Sequence, residues 1–307
     1  MQELQNDLVR ELLKEKRKDR RWKNIRFFLW FLLISVVIYF VFSENGPETY
    51  GDGGPGYVSF VRLNGSIDSG QDFSAEVVIP LLRDAFTDTD AKGVVLDIDS
   101  GGGSPVQASI IHDAILEFKK KYHKKVIVVG EDLLASGAYY VAVAADKIYV
   151  NPNTLTGSIG VIMKSFGFAD LIKKVGVERR VYASGAYKDR LDPFLPQNQQ
   201  DIEKIKTVID EVHQNFDRVV LEGRKGKLHA TPDELFSGDF WSGETAVKLG
   251  LVDGLGNLSD VIATEFHVTR YKDYGRSPGM FKSLLGQVGT SFSLALSDRQ
   301  VKVSEKI

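Results

Sequence analysis

The run Gly93-Val-Val-Leu-Asp-Ile-Asp-Ser-Gly-Gly-Gly-Ser-Pro105 decides the fold class. Residues 93–99 read as a strand, the three glycines as a tight turn, and Ser104 followed by Pro105 as the cap and first residue of a helix over 105–122. A helix N-terminus leaves backbone N–H groups free, and glycine, lacking Cβ, lets an oxygen approach them closely. The pattern recurs: residues 125–130 read as a strand, and Leu134-Ala-Ser-Gly-Ala-Tyr-Tyr140 starts a helix over 136–145 with Ser136 at its N-terminus. Strands at 57–67 and 147–150 and a helix at 75–88 complete the alternation. Strands separated by helices predict a layered α/β core with parallel strands.

Further along, Ile202, Ile205, Ile209, Val212, Phe216, Val219 and Val220 mark a long helix. Thr231-Pro-Asp-Glu234 has the form of a capping box, and Gly250 closes a helix that follows Ser242. No internal repeat is present, and the residues from Thr264 onward carry no clear pattern.

At 307 residues, 43% hydrophobic and 26% charged, the chain can bury one large core or two modest ones. A net charge of −2 gives no reason to expect nucleic acid. There is no cysteine, which excludes disulfides, thiol catalysis and thiolate metal sites.

The first 24 residues are a basic amphipathic segment, with Leu4, Leu8, Leu12 and Leu13 at helical spacing before a cluster of Lys and Arg. From Phe27 to Phe42 every residue but Ser35 is apolar or aromatic, so 25–43 is expected to be a transmembrane helix. No small-x-small cleavage site follows, which favours an uncleaved anchor over a signal peptide. Cations crowd one flank while Glu44, Glu48 and Asp52 lie on the other, so the N-terminus is expected in the cytoplasm and the rest outside it. Residues 44–56, rich in Gly, Pro and acidic residues, read as a linker.

The glycine turn could cradle a phosphate or an oxyanion. Val106 stands where the dinucleotide fingerprint needs its third glycine, and no Gly-Lys-Ser/Thr follows for a P-loop. The N–H groups of Gly102 and Gly103 could instead face an oxyanion together with that of Gly137, one such donor being worth about 3 to 4 kcal/mol in a transition state. Ser136 is then the candidate nucleophile and Lys188, in Tyr187-Lys-Asp-Arg-Leu-Asp-Pro193, the candidate amine base. A lysine that gives up its proton near neutrality does so at a cost on the order of 4 to 5 kcal/mol, which calls for dry surroundings. Tyr187, Leu191, Pro193 and Phe194 could supply them, with Asp189 and Asp192 turned away. The five histidines have no metal-ligand spacing, there is no Gly-x-Ser-x-Gly elbow, and no metal or cofactor is expected. Asp97 and Asp99 alternate along one strand and read as a polar strand face rather than a carboxylate pair.

The order of these motifs, with Thr156-Gly-Ser-Ile-Gly160 between the serine and the lysine and 52 residues from Ser136 to Lys188, resembles the S49 peptidases over roughly residues 57–262. The family usually has Asn-Ser-Pro-Gly-Gly where this chain has Asp99-Ser-Gly-Gly-Gly103. The resemblance implies a Clp protease/crotonase-like layered fold and a serine endopeptidase with a Ser136–Lys188 dyad. It implies that Ser158 orients the lysine amine, and that the substrates are membrane-derived peptides such as signal peptide remnants. It further implies a homo-oligomer whose site is completed between neighbours, held in the bacterial inner membrane with its catalytic domain in the periplasm. A crotonase-like acyl-CoA enzyme and a non-catalytic membrane-protein scaffold are the alternatives. Residues 263–307 are left as a C-terminal tail.

Overall fold

The computed structural model describes Lys16 and residues 20–36, 48–51 and 56–275. Most of the basic opening segment, residues 37–43 of the expected anchor, much of the linker and the tail after Gly275 lie outside the described residues. The chain divides into two units, residues 1–47 with 276–307, and residues 48–275. In the first, α1 (residues 20–36) is a helix with no buried side chain. Among the described residues no helix is long and apolar enough to cross a membrane; the span expected at 25–43 runs past the last described residue of α1.

The second unit is built on one sheet. Its elements are β1 (Glu48–Tyr50), β2 (Tyr57–Asn64), α2 (Ala75–Thr87), β3 (Ala91–Ser100), α3 (Pro105–Tyr122), β4 (Val126–Ala135), α4 (Gly137–Ala142), β5 (Lys147–Val150) and β6 (Leu155–Gly157). There follow α5 (Ala169–Lys174), α6 (Gln199–Gly223), α7 (Pro232–Leu235), β7 (Phe240–Ser242), α8 (Gly243–Leu249), β8 (Gly254–Leu255), α9 (Leu258–Phe266) and β9 (Tyr271–Asp273). The strand order is β1-β9-β2-β3-β4-β5-β8, parallel from β9 to β8, with β6 branching off β4 and β7 pairing antiparallel to β6.

The central strands are buried on both faces, which is why they read as near-continuous apolar runs. Successive residues point to opposite sides. Val94, Leu96 and Ile98 of β3 pack with Val78, Leu82 and Phe86 of α2 and Ile111 and Ile115 of α3. Val95, with Val58, Phe60, Ile127 and Val129, packs with Val261, Ile262 and Phe266 of α9. The result is a helix–sheet–helix sandwich.

Ser104 accepts from Gln107 N–H as the cap of α3, and Gly250 closes α8 in the left-handed conformation, both as expected. The short helix expected after Thr231 is present as α7, but the Thr231 side chain makes no capping bond; its carbonyl accepts the Glu234 and Leu235 N–H groups. The strand expected over 57–67 ends at Asn64, and Ile67 instead bridges Gly103. The sheet also reaches beyond residues 57–262, because β9 pairs with β2, and β1 pairs with β9.

That late strand is fastened at Asp88, the C-cap of α2. The Asp88 carboxylate accepts from the hydroxyls of Tyr57 and Tyr274 and from the Lys272 ammonium, the last at 3.0 Å. Burial alone would raise its pKa; the Tyr274 and Lys272 donors, with the Asp90 N–H and Tyr57, outweigh it and hold the carboxyl far below the ordinary range. A depressed carboxyl contributes stability above its unfolded pKa and loses it as pH falls toward the folded one. Asp88→Ala is therefore expected to cost about 2 to 4 kcal/mol in urea unfolding near neutral pH, with the gap from wild type closing below about pH 4. An equal gap at all pH values would show that the carboxylate is not the fastening.

Candidate active site

Three turns leave the sheet at the carboxyl ends of its strands, where ligands collect in open α/β folds. The first follows β3, the second joins β4 to α4, and the third follows β6.

In the second turn Ser136 adopts φ 54° and ψ −125°, a conformation that an L-residue holds only under constraint from its surroundings. The constraint is visible. Leu134 and Ala135 pair with Thr156 and Gly157, the Ser136 N–H donates to the Gly157 carbonyl at 2.8 Å, and the Ser136 carbonyl accepts the Tyr140 N–H that starts α4. Helix α4 is buried throughout, so the serine, itself half-buried, has a rigid base.

The glycine turn packs directly on this bend. Gly102 has φ 94°, and a Cβ there would fall 2.6 Å from the Gly137 nitrogen and 2.8 Å from the Ser136 Cβ. Gly103 has φ 151°, and a Cβ there would strike the Ile67 carbonyl oxygen at 2.3 Å. The loop after β2 holds the turn: Ile67 N–H donates to the Gly102 carbonyl, and Ser104 N–H donates to the Ile67 carbonyl. The Gly102 N–H donates to Ser100 Oγ at 3.1 Å, so it is not free for an oxyanion, contrary to the expectation for this residue. The Gly103 N–H has no acceptor among the described residues, and the Gly137 N–H is the first of its helix and has none within it. These two are neighbours, since a Cβ on Gly137 would lie 3.2 Å from the Gly103 nitrogen. The two amides left unengaged are therefore those of Gly103 and Gly137, with Gly102 packed closely against the serine bend.

Ser158 also has a positive φ, 51°, and its N–H donates to the Asp239 carbonyl at 2.7 Å, so the third turn is tied to the approach to β7. Lys188 lies apart from this assembly. It is exposed, and within the chain it makes no hydrogen bond to Ser136 or Ser158. It lines a shallow surface hollow with Arg179, Leu191, Pro193 and Phe194. Asp189 and Asp192 line the same hollow rather than turning away as expected, but Asp192 is engaged: it accepts from Arg179 Nε and Nη2 at 3.0 and 2.9 Å and from the Phe194 N–H at 2.9 Å. The Phe194 N–H, then the guanidinium, hold its pKa below the usual value. Tyr187 lies under the Arg190 guanidinium at 3.9 Å rather than over the lysine. The surroundings expected to dry Lys188 are thus present but open.

Lys188 belongs to a long excursion. No residue from 160 to 215 is buried, although Ile162, Met163, Phe166, Leu171, Val175, Val177 and Tyr182 are among them and more than half exposed. The first half of α6 continues it, with Ile202, Ile205, Ile209 and Val212 half-covered at best.

Two features were not legible in the sequence. Ser100, 2% exposed, fixes the glycine turn through its hydroxyl, and nothing in its type distinguishes it from a turn serine. Asp97 is 4% exposed, so the polar strand face expected for Asp97 and Asp99 does not exist; its carboxylate accepts from Arg62 and stands beside the Glu131 carboxyl. His112 is buried edge-on against Tyr140 and bonded to Asp113.

Comparison with known proteins identifies the family. Peptidase family S49 matches residues 118–268. A putative protease of Synechocystis sp. is 31% identical over 206 residues, covering 66% of this chain and 71% of that protein. A putative signal peptide peptidase SppA of Enterococcus faecium is 29% identical over 250 residues, 78% of this chain and 72% of that one. A protein of Brucella melitensis named as the Na(+)/H(+) antiporter NhaA is 46% identical over 206 residues, which are 66% of this chain but only 28% of that protein. A ClpP1 mutant of Listeria monocytogenes superposes with a TM-score of 0.42 at 20% identity, over 64% of this chain and 91% of that one. The chain belongs to peptidase family S49.

Gly102→Ala tests the packing. A methyl group 2.6 Å from the Gly137 nitrogen must displace either the hinge or the serine bend, and the expected effect is a loss of about 10²-fold or more in peptide hydrolysis with little change in unfolding. Wild-type turnover would show that the two turns need not touch.

Proposed function

We propose that this chain is a membrane-anchored serine endopeptidase in which Ser136 attacks the peptide carbonyl and Lys188 of a neighbouring copy removes its proton. The observation that carries the reading is the constrained bend at Ser136, flanked by the two unengaged amides of Gly103 and Gly137. A hydroxyl placed beside two fixed N–H donors can form a tetrahedral intermediate and hold its oxyanion without reorganisation. The amine then returns the proton to the leaving nitrogen, and water repeats the sequence on the acyl-enzyme. Ser158, on the next turn, steadies the amine once it arrives.

The lysine is assigned to another copy because its own chain leaves it in solvent, on a segment whose apolar side chains have no cover. Apolar area gains about 25 cal/mol per Å² when removed from water, so such a segment favours a second surface. A homo-oligomer supplies both the cover and the dry surroundings the amine needs. Helix α1, with Phe27, Phe28, Trp30 and Phe31 exposed after Arg20, Arg21, Lys23 and Arg26, supports an anchor with its basic end in the cytoplasm. The catalytic unit then lies in the periplasm, and the substrates are peptides left in or near the membrane, such as signal peptide remnants. The likeness to a putative signal peptide peptidase supports that choice.

A fluorophosphonate probe is expected to label Ser136, and Ser136→Ala to abolish both labelling and turnover; unimpaired turnover in that variant would refute Ser136 as the nucleophile, whereas no turnover in wild type would leave the scaffold reading. Lys188→Arg keeps the charge but cannot give up a proton near neutrality, so it is expected to be inactive. Mixing Ser136→Ala with Lys188→Ala protein, each inactive alone, is expected to restore part of the activity. No recovery from mixed oligomers would place the dyad within one chain.

A further inference from the structure

Two residues of extra chain separate the sheet from the nucleophile. β3 and β4 are in register at Ile98 and Gly130, and next at Ser100 and Leu134, so β4 advances four residues while β3 advances two. Glu131, Asp132 and Leu133 therefore bulge out of the ladder immediately before Leu134-Ala-Ser136. A bulge re-aims the residues on its C-terminal side, and in this strand those residues form the serine bend.

The bulge is pinned at three points. Thr154 Oγ1 donates to the Glu131 carbonyl at 2.6 Å, the Leu133 N–H donates to Asp99 Oδ1 at 3.0 Å, and the Glu131 carboxyl stands beside that of Asp97, close enough to interact with it. The third pin is unusual. Asp97 Oδ2 accepts from Arg62 Nε at 3.2 Å, while Asp97 Oδ1 is fully buried and has no donor. Two carboxyl groups can bond only by sharing a proton, and a proton on this pair also satisfies the orphaned oxygen.

We propose that Asp97 and Glu131 are positioning residues for Ser136: one proton held between their carboxyls closes the β4 bulge, and its loss lets the serine bend relax. The inference rests on Ser136 as nucleophile only for its catalytic consequence; the pinning itself does not.

The charges around the pair are few. Arg62 comes from β2, half-exposed, Glu131 from the bulge in β4, and Asp99 from the same strand, engaged by the Leu133 N–H. From α9, Glu265 is held by Lys125 and Lys147. Burial first, then the Glu131 carboxyl, pushes the Asp97 acid up to about 7 against the pull of Arg62. A carboxyl raised in the folded state favours folding most below its unfolded pKa, and that advantage fades as pH climbs through the folded one. The pin therefore opens on the alkaline side of neutrality.

The test uses the full-length protein in detergent micelles. Its first readout is amide hydrogen exchange of the segment 131–136, corrected for intrinsic pH dependence. Protection is expected to fall by about tenfold between about pH 6 and pH 9 in wild type and to stay level in Asp97→Asn, whose amide donates without titrating. The second is the rate of fluorophosphonate labelling against pH. Wild type is expected to rise and then fall above neutrality; Asp97→Asn is expected to lack the fall, and Asp97→Ala to label at least about tenfold more slowly throughout. Protection of 131–136 that does not change with pH in wild type, or changes equally in Asp97→Asn, overturns the proposal whether or not any serine is labelled. Level protection in the variant together with no labelling of wild-type Ser136 would uphold the pin and refute the nucleophile.

Discussion

The catalytic unit depends on a place where there is no room for a methyl group. Gly102 lies so close to Ser136 and Gly137 that the two turns form one rigid block, and every other feature of the site holds that block in position. Ile67 grips the glycine turn from the loop after β2, Ser100 takes up the Gly102 amide, and Gly157 takes up the Ser136 amide. A serine held at φ 54° stores on the order of 1 to 3 kcal/mol of backbone strain. Three anchored strands and a buried helix can hold that strain, whereas an isolated turn could not.

Such rigidity contrasts with the chain between 160 and 215, where nothing is buried. The short ring cluster of Phe166, Phe168 and Phe194 and the Arg179–Asp192 pair give this excursion local order, but not a core. Ser136 is held by the fold of its own chain, while Lys188 stands exposed on this excursion.

Buried carboxyls at the two ends of the sheet illustrate how surroundings set charge. Asp88 meets two hydroxyls and an ammonium and stays ionised. Asp97 meets one guanidinium and another carboxyl, and burial raises its pKa. Both sit where a local segment must be tied to the sheet, β9 in one case and the β4 bulge in the other, but the ties respond to pH in opposite directions.

Periodicity and turn chemistry were enough to read the layered α/β class, the helix over 105–122 with its Ser104 cap, the strand at 147–150 and the candidates Ser136, Gly103 and Gly137, because each depends on neighbours a few residues away. Strand β9 was not legible: three residues pair with β2 because an edge is open to them, not because their own pattern demands it. The engagement of Gly102 by Ser100, the burial of Asp97 and the pairing of its acid with Glu131 come from residues brought together across strands. Side-chain type alone cannot state what lies opposite. Local sequence chose the elements and the chemistry they could carry; the packing of one turn against another decided which amides stayed free, which acid was buried, and that the lysine stands in solvent within its own chain.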